Sequence, residues 1–180
     1  MNHQTHLQTI LSNSIIGTVL PHISQLNLPN WWLAGGAVRN TVWCNLFGEE
    51  CQLFIKDFDI AFFDLQGHRE QEQRAKSTLT TQFSDHEFDV KNQASFGRWR
   101  AGTTIYHSTE DGIKDWLHTA TAVGVSINKK GELQFFAPYG LDDLFSGIIR
   151  PTPTHMNDIK AIDKADGFIE KCNRLKLISL

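Results

Sequence analysis

The sequence predicts an α/β (α+β) fold, a small mixed sheet flanked by helices, and three observations carry that reading. Segments of helical period alternate with short apolar runs of strand period through the first half of the chain. Asn128-Lys129-Lys130-Gly131 joins two strand patterns, Thr121 to Ile127 and Glu132 to Ala137, as a hairpin turn does. Gly35-Gly36 follows the apolar run WWLAG and opens a helix. With 180 residues, 41% hydrophobic and 21% charged, the composition suits one domain over 1–180, with a core at about 31–150.

In chain order, Leu7, Ile10, Leu11, Ile15, Val19 and Leu20 predict a first helix that Pro21 breaks or kinks. LNLPN leads into the strand WWLAG, and the helix GAVRNTVWCNLFG ends at Gly48, with Val38, Val42 and Leu46 as its stripe toward the sheet. IKDFDIAFFD reads as the second strand. Gly67 to Phe83 is polar except for Ala75 and Leu79, the pattern of an exposed helix. HEFDVKNQA starts as a strand and turns into a short helix around Ala94 to Arg100. Ser108 is placed to cap TEDGIKDWL, with Asp111 at capping-box spacing. PYG turns into LDDLFSGII, and Arg150-Pro151-Thr152-Pro153 is the clearest breaker. A last helix is expected from about 155 to 175, docking through Met156, Ile159, Ile162, Ile169 and Cys172.

Composition excludes several function classes. A net charge of -3 and pI near 6.2 predict no large nucleic-acid footprint. Three cysteines without a CxxC pair argue against a disulfide framework or structural zinc. The eight histidines show neither HxxxH nor HExxH spacing. The absence of a signal pattern or membrane-length apolar run predicts a cytoplasmic location.

The chemistry concentrates between Trp31 and Asp64. Strand alternation puts Asp57 and Asp59 on one side of Phe58, where two carboxylates repel unless a cation lies between them. Oxygen-only ligands suit a hard ion such as Mg²⁺, which shares its shell with substrate phosphates. Gly35 and Gly36 open a helix whose free N–H groups and dipole favour phosphate; the bland alternative is close helix–strand packing. Arg39 sits in that helix's first turn, unfavourably for the dipole, so a partner is expected, either a triphosphate or an acidic side chain. Lys56 alternates with Asp57 and is expected to point away from the carboxylates. Asp142 and Asp143 read as helix capping, Cys44 as core, and the five tryptophans mostly as packing.

GGAVRN followed by KDFDIAFFD resembles the head of the DNA polymerase β nucleotidyltransferase superfamily, closest to the Gly-Gly-x-Val-Arg and Asp-x-Asp arrangement of CCA-adding enzymes and poly(A) polymerases. FDVKNQA, TATAVGV and APYGLDDLF are similar to a family of small bacterial nucleotidyltransferase-like proteins, a resemblance running from about Trp32 to Pro151. It implies a polymerase β-type fold, Mg²⁺ or Mn²⁺, and transfer of a nucleoside monophosphate from an NTP to a hydroxyl with release of pyrophosphate. Asp57 and Asp59 would be the metal carboxylates. Asp89 is the candidate for the third, and Glu87, on the same strand face, is its rival. Gly35, Gly36 and Arg39 would bind the nucleotide; Ala37 offers no hydroxyl, so phosphate contact there must come from backbone. Asn92 and Gln93 are either base-reading amides or a strand-to-helix cap. Ser95-Phe96-Gly97-Arg98 departs from the family pattern after NQA, leaving Arg98 or Arg100 as substitutes. The acceptor stays open among small molecules, protein side chains and RNA ends. The rivals are a nucleotide-binding regulatory module of the same fold and a sugar-nucleotide enzyme using the DxD.

Overall fold

The computed structural model describes residues 2–96 and 105–178. Its elements are α1 (His3–Ser12), α2 (Ile15–Gln25), β1 (Trp32–Ala34), α3 (Gly36–Phe47), β2 (Asp57–Phe62), α4 (Arg69–Gln82), β3 (Glu87–Asn92), α5 (Gln93–Phe96), α6 (Thr109–Lys114), β4 (Gly124–Ile127), β5 (Leu133–Phe136), α7 (Asp142–Ser146), β6 (Ile148–Ile149), α8 (Ile159–Ile169) and β7 (Lys176–Leu177). Gly97, Arg98 and Arg100, and with them the end of the helix expected after NQA, lie outside the described residues.

The five-stranded sheet has the order β3-β2-β1-β4-β5. Central β1 is antiparallel to both neighbours, β2 is parallel to β3, and β4–β5 is the hairpin read from Asn128–Gly131. The parallel pair needs a crossover, and α4 supplies it. β6 and β7 form a separate parallel pair.

Alternation then sorts the sheet's two faces. Leu33, Phe58, Ile60, Phe62, Phe88, Val90 and Val125 are buried in the main core with α1, α2 and α3. Asp57, Asp59, Ala61, Asp89 and Lys91 take the opposite face. There Ala34, Ala61 and Ile113 of α6 form a small second cluster with Trp116 packed on it. Ile113 of α6 packs over Ala61, two residues beyond Asp59 on the same face.

Three expectations are corrected. The N-terminal segment is two helices broken at Asn13-Ser14, where the Ser14 hydroxyl accepts from Ile16 N–H, and Pro21 lies inside α2. Local capping there outweighs the proline as the boundary. The C-terminal helix ends at Ile169, and the chain continues into β7. Its docked side carries Ala161 and Ala165, fully buried, while Met156, Ile159 and Ile162 are exposed. Small residues let α8 approach closely; of the expected docking face, Ile169 and Cys172 do pack on the core. Finally, Asp143 caps nothing. It accepts from Arg150 Nε at 2.9 Å and Nη2 at 3.1 Å and from the Thr119 hydroxyl at 2.7 Å.

Ser108 does cap α6, accepting from Asp111 N–H, while the Asp111 carboxylate accepts from His107 N–H.

Candidate active site

The site lies in a cleft of about 840 Å³ on the carboxylate face of the sheet, walled by the N-terminus of α3, the segment Gln52–Lys56, the turn around Trp116 and α8. β2 brings Asp57 and Asp59 to it because they alternate with buried Phe58 and Ile60. The parallel register sets Asp89 opposite Asp59 and Glu87 opposite Asp57. Asp89 lines the cleft; Glu87 is exposed and is not among its lining residues.

The electrostatics of this face are unbalanced. Burial first, then the Asp57 and Asp89 carboxylates, push Asp59 up to about 7, with Lys164 and Arg39 pulling the other way. The two cations offset only part of that rise. Asp89 is paired with Lys91 Nζ at 3.1 Å. Among the described residues, no three His, Cys, Asp or Glu side chains form a ready-made metal cage.

Gly35 must be glycine for two independent reasons. Its φ is +76°, a conformation that other residues adopt with strain, and a Cβ there would lie 2.5 Å from Trp116 and 3.1 Å from Asp59 Oδ2. The turn therefore lays backbone directly beside the Asp59 carboxyl, with α3 starting at Gly36. The donor chemistry fits a hard divalent cation: an oxygen-only cluster with uncompensated charge, next to a helix N-terminus suited to phosphate.

Within the protein, the hydrogen-bond partners of Arg39 are uncharged, and Asp59 acts on it through charge alone. The guanidinium donates to Asn40 Oδ1 through Nε (3.1 Å) and Nη2 (2.9 Å) and to the Thr121 hydroxyl through Nη1 (2.7 Å). It stacks on Phe168 of α8 at 4.0 Å and near Trp43 at 5.3 Å. Burial pulls its pKa down to about 10, with Asp59 opposing, so it stays cationic at neutral pH. It still lines the cleft. Asn40 was missed by sequence reasoning. While its Oδ1 accepts from Arg39, its Nδ2 donates to the Phe54 carbonyl at 2.7 Å, so the motif's last residue ties cleft floor to cleft rim.

Lys56 is exposed and lines the cleft from the loop before β2, rather than pointing away. Lys164, Phe168 and Lys171, from α8 and the turn after it, line it as well. No motif pointed to them. Asn92 is a brace: Oδ1 accepts from Asp64 and Ala94 N–H, and Nδ2 donates to the Asp64 carbonyl. Gln93 is buried and lines the cleft. His118, buried beneath the cleft, is pulled down to about 4, chiefly by burial; neutral, it donates from Nε2 to the Ala161 carbonyl and so anchors α8. Cys44 is half-buried and donates to the Leu53 carbonyl.

A mixed sheet of this order with paired aspartates beside a Gly-Gly helix turn is a polymerase β-type nucleotidyltransferase fold. Residues 21–177 match the family model described as Nucleotidyltransferase, and the chain belongs to that family. A solved structure described as a CCA-adding enzyme head domain superposes with a TM-score of 0.81 at 26% identity, covering 99% of this chain and 97% of that one. A CCA-adding enzyme in complex with CTP gives 0.62 at 15% identity, covering 97% and 43%. The Thermotoga maritima CCA-adding enzyme with tRNA gives 0.61 at 14%, covering 97% and 42%. The chain thus spans less than half the length of these last two proteins. No curated protein matches it. Among the described residues, no helix is long and apolar enough to cross a membrane.

Proposed function

We propose that this protein transfers a nucleoside monophosphate from an NTP to a hydroxyl acceptor, releasing pyrophosphate, with Asp57, Asp59 and Asp89 holding Mg²⁺ or Mn²⁺. The observation that carries the proposal is the placement of these three carboxylates against the N-terminal turn of α3 in one cleft.

Asp57 and Asp59 provide the anionic ligands, and Asp89 joins them once released from Lys91. The bound ion supplies Lewis-acid charge at the reacting phosphate. The Gly35-Gly36 turn and the first N–H groups of α3 orient the phosphates through backbone alone. Arg39 fixes the rim through Asn40 and lends positive charge near Asp59. Lys164 faces the same carboxyl from α8 and adds charge for the triphosphate. Trp116 and α6 keep water from the floor beside Gly35. Catalysis of this design rests on positioning and fixed charge. The acceptor is a small molecule, a protein side chain or an RNA end, and a cytoplasmic location fits these substrates.

The Asp89–Lys91 pair favours one second reading, a module that binds nucleotide without transferring it. Calorimetry of NTP binding with and without Mg²⁺ or Mn²⁺, coupled to pyrophosphate release with candidate acceptors, separates the two. Metal-dependent binding with release supports transfer; metal-dependent binding without release across all acceptor classes supports the module; no NTP binding sinks both.

A further inference from the structure

Phe54 is 80% exposed, the most exposed large hydrophobic side chain among the described residues, yet it lines the cleft. Its neighbours show why it points outward. Leu53 is buried and Ile55 packs against the core, so alternation turns the residue between them to solvent. A polar residue would satisfy that position without leaving an aromatic ring in water. The backbone beneath the ring is also held. Asn40 Nδ2 donates to the Phe54 carbonyl at 2.7 Å, and Gln52 N–H donates to the Lys171 carbonyl at 2.8 Å. This anchored rim runs directly into Asp57, three residues on, a span of about 10 Å in extended chain. That is comparable with the reach from a metal-bound α-phosphate across the ribose to the base. Among the described residues, the other Trp, Phe and Tyr side chains at the cleft are committed: Trp116 packs against Gly35 and the Ala34–Ala61–Ile113 cluster, Phe168 covers the Arg39 guanidinium, and Tyr106 donates to Asp115.

We propose that Phe54 is the stacking platform for the nucleobase of the incoming nucleotide, with Asn40 as the positioning residue that sets its rim. The inference rests on the reading of the cleft as an NTP site. A stacking face has no hydrogen-bond code, so it predicts broad tolerance among the four bases, with purines held better than pyrimidines because of their larger rings.

The test compares Phe54→Leu and Phe54→Trp with wild type, titrating ATP, CTP and inorganic tripolyphosphate with Mg²⁺, and following 2-aminopurine riboside triphosphate by fluorescence. Because Phe54 is exposed, both variants should fold as wild type does, which circular dichroism checks. The expected result is that Phe54→Leu weakens NTP binding about five- to a hundredfold and abolishes 2-aminopurine quenching, while tripolyphosphate binding is unchanged and Phe54→Trp restores affinity. Wild-type NTP affinity in Phe54→Leu, or equal loss for tripolyphosphate, overturns the platform and leaves the NTP site standing. Failure of wild type to bind either NTP or tripolyphosphate overturns the platform together with the reading beneath it.

Discussion

Two acidic motifs in this chain end in opposite electrostatic states. In KDFD, burial and like charge push Asp59 up to about 7. In LDDL, burial would raise Asp143 too, but hydrogen bonds from Arg150 and Thr119 outweigh it and hold the carboxyl below its ordinary value. One region leaves its negative charge for something outside the protein to neutralise; the other neutralises it internally with a two-pronged arginine. The residue type is the same, so the difference lies in what the fold sets opposite. The contrast sets the crowded carboxylates of β2 and β3 apart from the internally paired one of α7.

The largest way to break the comparison is to remove the uncompensated side. Asp57→Ala/Asp59→Ala should lower metal-dependent NTP binding and pyrophosphate release at least about a hundredfold, while the fold survives by circular dichroism. Next, Asp143→Ala should leave NTP binding intact and cost about 2–3 kcal/mol in urea unfolding at neutral pH, since it strands a partly buried arginine. Because the folded-state pKa of Asp143 is depressed, that difference is present above its ordinary 3.8 and disappears as acid titrates the folded carboxyl.

Asp59→Asn should do the reverse. A raised folded pKa means that wild-type stability falls as pH rises from 3.8 through about 7, so the amide should be more stable by about 1–3 kcal/mol at pH 8 and no different well below pH 4. Mg²⁺ should raise the wild-type melting midpoint at pH 8 and leave Asp59→Asn nearly unmoved. The smallest effect is expected at Lys91→Ala. Removing a half-exposed pair worth about 0.2–1 kcal/mol frees Asp89 and should tighten Mg²⁺ binding up to about fivefold by calorimetry. A weakened Mg²⁺ affinity there would count against Asp89 as a ligand.

Much of this was legible in the sequence for a physical reason: its signals are local. Strand alternation at Asp57–Phe62, the turn at Asn128–Gly131, the sparse apolar stripe of α4 and the Ser108 cap all act within a few residues. The parts that escaped are long-range contacts. Nothing in the spacing of α8 announced that Phe168 would cover Arg39, or that Lys164 would face Asp59. Asn40 reads as an ordinary helix residue until the chain returns Phe54 to its amide. Asp143 looked like a cap because Arg150 and Thr119 come from elsewhere in the fold. In α8 the expected Ile169 does pack on the core, but Ile159 and Ile162 face out and Ala161 and Ala165, which periodicity weighs lightly, are buried instead.

The place of β1 has a consequence for how the chain is made. It is the middle strand of the sheet, yet it is only three residues long, and its second neighbour, β4, is translated after α4, β3 and α6. At about 5–20 residues per second, the nascent chain can pair β1 with β2, and β2 with β3, a few seconds before the other edge of β1 is sealed. An open edge on a ribosome-bound chain invites pairing with a neighbour, and brevity is one of the ways such edges are kept safe. The short central strand therefore looks less like a weak point in the finished sheet than like a guard on its unfinished form.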